Sequence, residues 1–366
     1  MRIAFVLPTF RAGGAERVAS LLCNFWVDHG HSVAALTFEA PGADQVCLLD
    51  ERIVLRQFDV LNRSKTLKSI IGTNLRRLGR LRTALKALEP DVIVAFTTEA
   101  NVVALWSALG LGVPVIVSER NQPDRPGLGV VRRGLRRLSY PLAAAIVVQT
   151  QAIAGWAKER FRVPVEVLPN PVRLQDACTQ PLSEENTPKR VIAVGRLVWQ
   201  KGFDLLIRAF ANMVARHPDW SLAIYGEGDE RFALEAQIAA HGLSERISLK
   251  GVCKEMDGVY AGADLFVLPS RFEGYPNALI EALAAGCPVV TTDCPGATAE
   301  ILVRGRYGLL VPPESADALA SGLDRMMSDA SLRAHYAARA REAVLELDVA
   351  IVGRRWLDLL TSVTEA

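Results

Sequence analysis

The sequence predicts an α/β protein built of two doubly wound, Rossmann-like domains joined by a polar linker. Three observations carry this expectation. The chain has 366 residues, more than one hydrophobic core usually organises, so two domains of about 170–180 residues are expected. Half of the residues are apolar while 7% are aromatic, the composition of buried Val/Ile/Leu strands. Short apolar runs alternate with helical periodicity over the first half and, after an interruption, do so again. That alternation is the mark of βαβ units around a parallel sheet.

In chain order, strands are expected at residues 3–7, 33–38, 53–58, 92–96, 115–118, 145–149 and 165–168, with helical patterns at 15–28, 67–88 and 100–109. These make up an N-terminal domain over residues 1–172. Residues 173–190 are polar, contain two prolines and lack periodicity, and read as a linker. The alternation restarts with strands at 191–194, 222–225, 247–249, 265–268 and 289–291, separated by helical stretches at 203–215, 231–240, 256–262 and 277–285. This second domain runs over 191–348. A last helical pattern, 349–363, is expected to return and brace the first domain as part of segment 349–366. Open α/β sheets take ligands at the carboxyl ends of their strands, so two such domains facing one another are expected to place the site in a cleft between them.

Composition excludes several classes. No apolar run reaches the ~20 residues of a membrane-spanning helix. Residues 2–10 have too short an apolar run for a signal peptide and lead into a Gly-Gly turn. The six cysteines form no CxxC pair and no metal spacing with the five histidines, which suits reduced thiols in a cytoplasmic protein. Net charge is +2 but unevenly placed: residues 1–170 hold 22 Lys and Arg against 14 Asp and Glu, and the remainder holds 20 against 26. The N-terminal half is therefore expected to face something anionic.

Three motifs carry chemistry. The sharpest runs from Arg271 to Val290 and contains Glu273, Gly274, Tyr275, Pro276, Asn277, Ala278, Leu279 and Glu281. Glu273 falls in the loop after an apolar strand and Glu281 about two turns into the next helix. Between them lies a helix start whose free N–H groups can hold an anion. One carboxylate can reach a sugar ring and the other ribose hydroxyls, with phosphates on the amides between. The second motif, residues 194–204, places Arg196 and Lys201 in a Gly-containing loop after a strand. There a planar fork and a point charge could converge on a diphosphate; alone, two solvated loop cations would be the plainer reading. The third is Gly13 and Gly14, between the first strand and first helix, where a phosphate or sugar could approach the backbone. It is not GxGxxG, and no acid is placed for a nicotinamide-dinucleotide ribose.

The string Glu273–x(7)–Glu281, following Arg196 and Lys201 with Tyr225-Gly-Glu-Gly, Gly251 and Ala263-Asp264 between them, resembles the signature of glycosyltransferase family 4. The resemblance covers essentially the whole chain and is most specific over residues 191–308. It implies the GT-B fold: two Rossmann-like domains facing across a cleft, the nucleotide held mainly by the second. By that likeness Arg196 and Lys201 neutralise the diphosphate and Glu281 binds the ribose. Glu273, with the amides of residues 274–279, holds the transferred sugar, and Val252 gives a backbone contact to the base. Many members carry a His after the fifth strand of the first domain. Here that strand runs into Ser118-Glu119-Arg120-Asn121, and any of Glu119, Arg120 and Asn121 could take over the polar contact. The Ser-Glu-Arg-Asn string is similar to bacterial transferases of lipid-linked oligosaccharide and surface polysaccharide assembly. The expected donor is a nucleoside-diphosphate sugar, UDP-linked, and the expected acceptor a polyprenyl-diphosphate-linked glycan.

No Asp-x-Asp pair occurs, so no metal and no other cofactor is expected; Arg196, Lys201 and helix dipoles must stabilise the leaving charge. A retaining front-face displacement is expected, with double displacement through Glu273 as the alternative. Residues 63–88 hold eight cations and no acid. Lys65, Lys68, Arg76, Arg80 and Lys86 align on one side of a helical wheel, a second cluster standing at Arg132, Arg133, Arg136 and Arg137. These read either as solvated faces or as docking sites for anionic headgroups and the lipid diphosphate at the inner membrane face. Nucleic acid is disfavoured because no stacking aromatics interleave with them. Two alternatives remain open: a transferase with a soluble glycan acceptor, in which the basic helix has no task, and a non-catalytic nucleotide-sugar-binding protein.

Overall fold

The computed structural model describes residues 1–11, 13–42, 49–60, 67–120, 130–174 and 188–365, without the side chains of 67–71. The chain divides into two compact units, Met1–Pro171 with Val349–Ala366, and Val172–Asp348.

The first unit holds a seven-stranded parallel sheet of β1 (Arg2–Leu7), β2 (Ser32–Thr37), β3 (Val54–Gln57), β4 (Val92–Phe96), β5 (Val115–Ser118), β6 (Ala145–Val148) and β7 (Val165–Val167), in the order β3-β2-β1-β4-β5-β6-β7. Its crossovers include α1 (Gly14–Asp28), α2 (Leu67–Leu88), α3 (Thr98–Ala108), α4 (Val130–Ser139) and α5 (Gln151–Arg160). Helices on both faces explain why the strands are continuous apolar runs. Within β1, Ala4 and Val6 join one buried cluster while Ile3, Phe5 and Leu7 join the other, the alternation that the pleat imposes.

The second unit holds a six-stranded parallel sheet of β8 (Lys189–Val194), β9 (Trp220–Tyr225), β10 (Ile247–Gly251), β11 (Leu265–Leu268), β12 (Val289–Thr292) and β13 (Leu309–Val311), in the order β10-β9-β8-β11-β12-β13. With it pack α6 (Phe203–Met213), α7 (Arg231–Ala240), α8 (Met256–Ala261), α9 (Asn277–Ala284), α10 (Thr298–Ile301), α11 (Ala316–Ser328) and α12 (Ala330–Ala340). The sheet again separates two clusters, Val191 and Ala193 on one side and Ile192 on the other. β8 begins at Lys189, two residues inside the stretch read as linker, because the ladder to β9 extends to Lys189 and Trp220.

The last helix, α13 (Val349–Thr364), belongs to the first unit. It buries Val352, Trp356 and Leu360, with Trp356 against Trp26 and Phe96 at centroid distances of 6.1 and 5.8 Å. A Cβ on Gly353 would stand 2.5 Å from the Phe25 ring, so helix and α1 meet where only glycine fits.

Candidate active site

In each sheet the strand order reverses once, between β1 and β4 and between β8 and β11. Loops leaving the carboxyl ends of such strand pairs diverge and leave a crevice for ligands. In the second unit these loops carry the two sharpest motifs. Arg196 and Lys201 follow β8, and Glu273 follows β11.

The two loops are stitched together across 72 residues of sequence. Lys201 Nζ lies 2.6 Å from Glu273 Oε1, and Ser270 Oγ donates to the same oxygen at 2.5 Å. The Gln200 side chain donates to the Phe272 carbonyl at 2.9 Å, and the Arg271 amide to the Gln200 carbonyl at 2.8 Å. Arg271 grips Asp204 with both terminal nitrogens, at 2.8 and 2.7 Å. Burial pushes the Asp204 carboxyl up, but the hydrogen bonds and charge of Arg271 outweigh it and leave it below the usual aspartate value. Glu273 itself is buried, so both its oxygen's donors are needed to offset desolvation. Arg196, in contrast, is exposed and makes no ion pair with any described residue.

Glycines set this geometry where backbones touch. Cβ atoms on Gly226 and Gly228 would stand 1.9 Å from the Gly195 carbonyl oxygen and 2.3 Å from that of Leu197. The turn after β9 therefore presses directly on the loop of Arg196. Behind Glu273, a Cβ on Gly296 would lie 2.3 Å from the Glu273 carbonyl oxygen.

Glu281 stands in α9, and its Oε2 accepts from the Tyr260 hydroxyl at 2.9 Å. The turn through Gly274, Tyr275 and Pro276 leads into α9 at Asn277 and Ala278. The Leu279 amide donates to the Pro276 carbonyl at 3.0 Å, closing the first turn of the helix. Val252 follows β10 directly and is 45% exposed, a large apolar side chain left on the surface beside the Gly251 turn.

In the first unit, Gly13 precedes α1, which starts at Gly14. The loop before them is held by buried Glu39, which accepts from Thr9 Oγ1 at 2.8 Å and the Phe10 amide at 3.2 Å. Glu119 and Arg120 leave the end of β5, and Asn121 lies outside the described residues. The Glu119 carboxylate turns inward, 1% exposed. It accepts from Tyr140 at 2.8 Å and Thr98 at 3.0 Å, with Arg136 at 3.6 Å, and burial raises its pKa. Arg120 is buried too, its guanidinium carbon 3.6 Å from the Phe96 ring centroid and one nitrogen on Asn170. Its Nε and Nη2 have no hydrogen-bond partner among the described residues, and burial pushes its pKa down to about 9.

Of the basic face on α2, Lys65 lies outside the described residues, as does the side chain of Lys68. Arg76 and Arg80 are exposed, although Arg80 also donates to the Phe58 carbonyl. Among the described residues no cluster of three or more His, Cys, Asp or Glu is placed to hold a metal ion, and no helix is long and apolar enough to cross a membrane.

Sequence reasoning missed Ser270, Gln200, Tyr260 and the Arg271–Asp204 pair. Arg271 lies inside the acidic motif, Gln200 and Asp204 lie inside the second motif, and Ser270 adjoins the first, so all four were within reach. Tyr260 had no signal, since what matters is a contact across the fold.

Two Rossmann-like sheets with an acidic loop and a basic loop side by side at the switch point define a glycosyltransferase of the GT-B class. Residues 12–176 match Glycosyltransferase Family 4, and residues 176–343 match Glycosyl transferases group 1. The chain belongs to this family. It is 26% identical, over the full length of both chains, to an alpha-1,4-N-acetyl-D-galactosaminyltransferase of Campylobacter jejuni named for a GalNAc-bearing diNAcBac-PP-undecaprenol. It is 30% identical over 77% of its own length to an exopolysaccharide phosphotransferase of Streptomyces coelicolor, of which it spans 29%. Among solved structures, HepE of Anabaena in complex with UDP and glucose superposes with a TM-score of 0.81 at 22% identity, covering 99% of this chain and 100% of that one.

Proposed function

We propose that this transferase moves a hexose or N-acetylhexosamine from a UDP-sugar to a lipid-linked saccharide, with retention of anomeric configuration and without a metal. The observation that carries the reading is the approach of Lys201 to Glu273 at the switch point, 2.6 Å, beside an Arg196 with no acid of its own. Preorganised cations beside a developing phosphate charge are what a metal-free departure of a nucleoside diphosphate needs.

In this reading Arg196 and Lys201 take the diphosphate, Lys201 exchanging part of its contact with Glu273 for phosphate oxygens. Amides before α9 add their partial positive charge. Tyr260 orients Glu281 for the ribose, and Val252 borders the base. The bond between the sugar's anomeric carbon and the phosphate oxygen breaks with its electron pair going to the phosphate. The acceptor hydroxyl attacks from the same face, and its proton passes to that departing oxygen. Glu273 accepts sugar hydroxyls and stabilises positive charge at the ring. Its sharing between Lys201 and Ser270 makes it a poor nucleophile, which favours front-face displacement over a covalent intermediate. The lipid-linked acceptor is supported by the name of the Campylobacter relative and by the excess of cations in residues 1–170. In a second reading the acceptor is a soluble glycan.

Incubation with a panel of nucleotide sugars in EDTA, using polyprenyl-diphosphate saccharides and soluble glycans as acceptors, tests these parts together. Mass spectrometry is expected to find a UDP-sugar-dependent product on the lipid carrier, with an axial or equatorial linkage by NMR matching the donor's. An inverted linkage or a strict divalent-metal requirement overturns the mechanism.

A further inference from the structure

The helix α4 is built inside out. Val131, Leu135 and Leu138 share one stripe at about 100° per residue, and they are 74%, 44% and 70% exposed. The opposite side, which faces the protein, carries a charge: Arg136 is buried, 3.6 Å from Glu119 and with its guanidinium carbon 4.5 Å from the Trp156 centroid. Ser139 accepts the Trp106 indole N–H at 3.0 Å. A surface helix ordinarily buries its apolar stripe and exposes its charges. Here the ion pair with Glu119 locks the reverse orientation.

Two more apolar side chains are exposed nearby in the chain or on a helix bonded to α4: Leu142 is 45% exposed, and Trp106 on α3 is 43% exposed. By the same spacing Arg132 and Arg137 stand on opposite sides of the stripe while Arg133 lies almost opposite it; all three are exposed, and residues 130–144 contain no acid. Exposed apolar side chains flanked by one sign of charge mark an interaction surface.

We infer that α4 is a lipid-docking helix, its Val131–Leu135–Leu138 stripe entering the acyl boundary of an anionic bilayer while Arg132 and Arg137 bind headgroup phosphates. The chemistry of each part fits that occupant. Apolar side chains on a short helix with flanking arginines suit the plane of the interface. Guanidinium groups on flexible stems reach phosphate oxygens while their methylenes stay in the apolar layer. An exposed Trp whose N–H is already bonded suits the headgroup level. A second copy of the chain is disfavoured, because a two-fold contact through this stripe would bring arginine against arginine. The inference deepens the lipid-linked reading of the acceptor and supplies a site distinct from the α2 cations.

Co-sedimentation with vesicles of phosphatidylglycerol and phosphatidylethanolamine, against phosphatidylcholine alone, tests it. The wild-type chain is expected to bind the anionic vesicles and not the neutral ones. Leu135→Gln with Leu138→Gln is expected to lower partitioning roughly tenfold at low and high salt alike. Arg132→Gln with Arg137→Gln is expected to lower it chiefly at low salt, where exposed charges are least screened. Because these side chains are exposed, circular dichroism and Tm should stay at wild-type values. Wild-type binding by the double leucine variant, or no anionic binding by the wild type, overturns the inference. So does a concentration-dependent dimer that the leucine changes dissolve. No glycan acceptor is present in the assay, so its failure leaves the transferase reading intact, and loss of that reading leaves vesicle binding intact.

Discussion

At Glu273 a single carboxylate oxygen receives both the Lys201 ammonium and the Ser270 hydroxyl. Removing Lys201 therefore does two things: it deletes a diphosphate partner and leaves a buried carboxylate short of a donor. Lys201→Ala is expected to weaken UDP binding by about 1.5–3 kcal/mol, the usual worth of a charge-assisted contact. Calorimetric titration measures this, and unchanged affinity would remove Lys201 from the donor site. Arg120 presents the opposite case. Its guanidinium is buried against Phe96 with Nε and Nη2 unpartnered among the described residues, and its pKa near 9 leaves it charged at neutral pH. The desolvation cost is thus fully present there and relaxes only as pH rises past that value. Arg120→Met is expected to raise stability by about 1–4 kcal/mol, the range seen when buried charges give way to apolar groups. A drop in Tm by calorimetry would mean that the ring and Asn170 contacts outweigh desolvation. The sequence left Glu119, Arg120 and Asn121 equivalent, because adjacent residues at a strand end carry no sign of which side chain turns inward. The contacts of Glu119 with Thr98, Tyr140 and Arg136 separate it from Arg120.

At the scale of elements, the turn after β9 and the loop after β8 touch backbone to backbone at Gly226 and Gly228. Gly228→Ala places a methyl inside the Leu197 carbonyl and must push away the loop that carries Arg196. We expect UDP affinity to fall at least as far as in Arg196→Ala, with a loss of stability in the range of about 1–3 kcal/mol for overpacking. Chemical denaturation and calorimetry check both, and wild-type affinity would show that this loop is not tied to the donor. Every strand except β13 was legible in the sequence. Strands buried on both faces are uninterrupted apolar runs, and the donor motifs abut the ends of β8 and β11. Helices α4, α5, α10, α11 and α12 were not, and the first two show why. The apolar residues of α4 face outward, so hydrophobic patterning could not separate it from a solvated basic cluster. The short α5 carries its buried face on Ile153, Ala154, Trp156 and Ala157, too few turns for a clear period. Contacts such as Tyr260 with Glu281 were invisible for a different cause: nothing local marks two side chains 21 residues apart as partners.

At the scale of the whole chain, α13 lies at the far end of the sequence yet fills the core of the first unit. Trp356 is completely buried against Trp26 and Phe96, and Arg355 donates to the Val167 carbonyl at 2.8 Å. Ending the chain at residue 348 is expected to leave the second unit folded and the first with an open apolar face. Dye binding and aggregation, set beside retained UDP affinity, would read this out; a soluble, non-aggregating truncation would show that α13 is dispensable. The same helix dictates an order of assembly during synthesis. Domains on the ribosome ordinarily fold from the N-terminus forward, at about 5–20 residues added per second. Here the sheet that emerges first must wait for the last residues to be translated before it can close, through about ten to forty seconds of exposure for an insertion of the second unit's size. The unit made second can finish first, and the nascent β1–β4 region spends that interval as a natural client for chaperones.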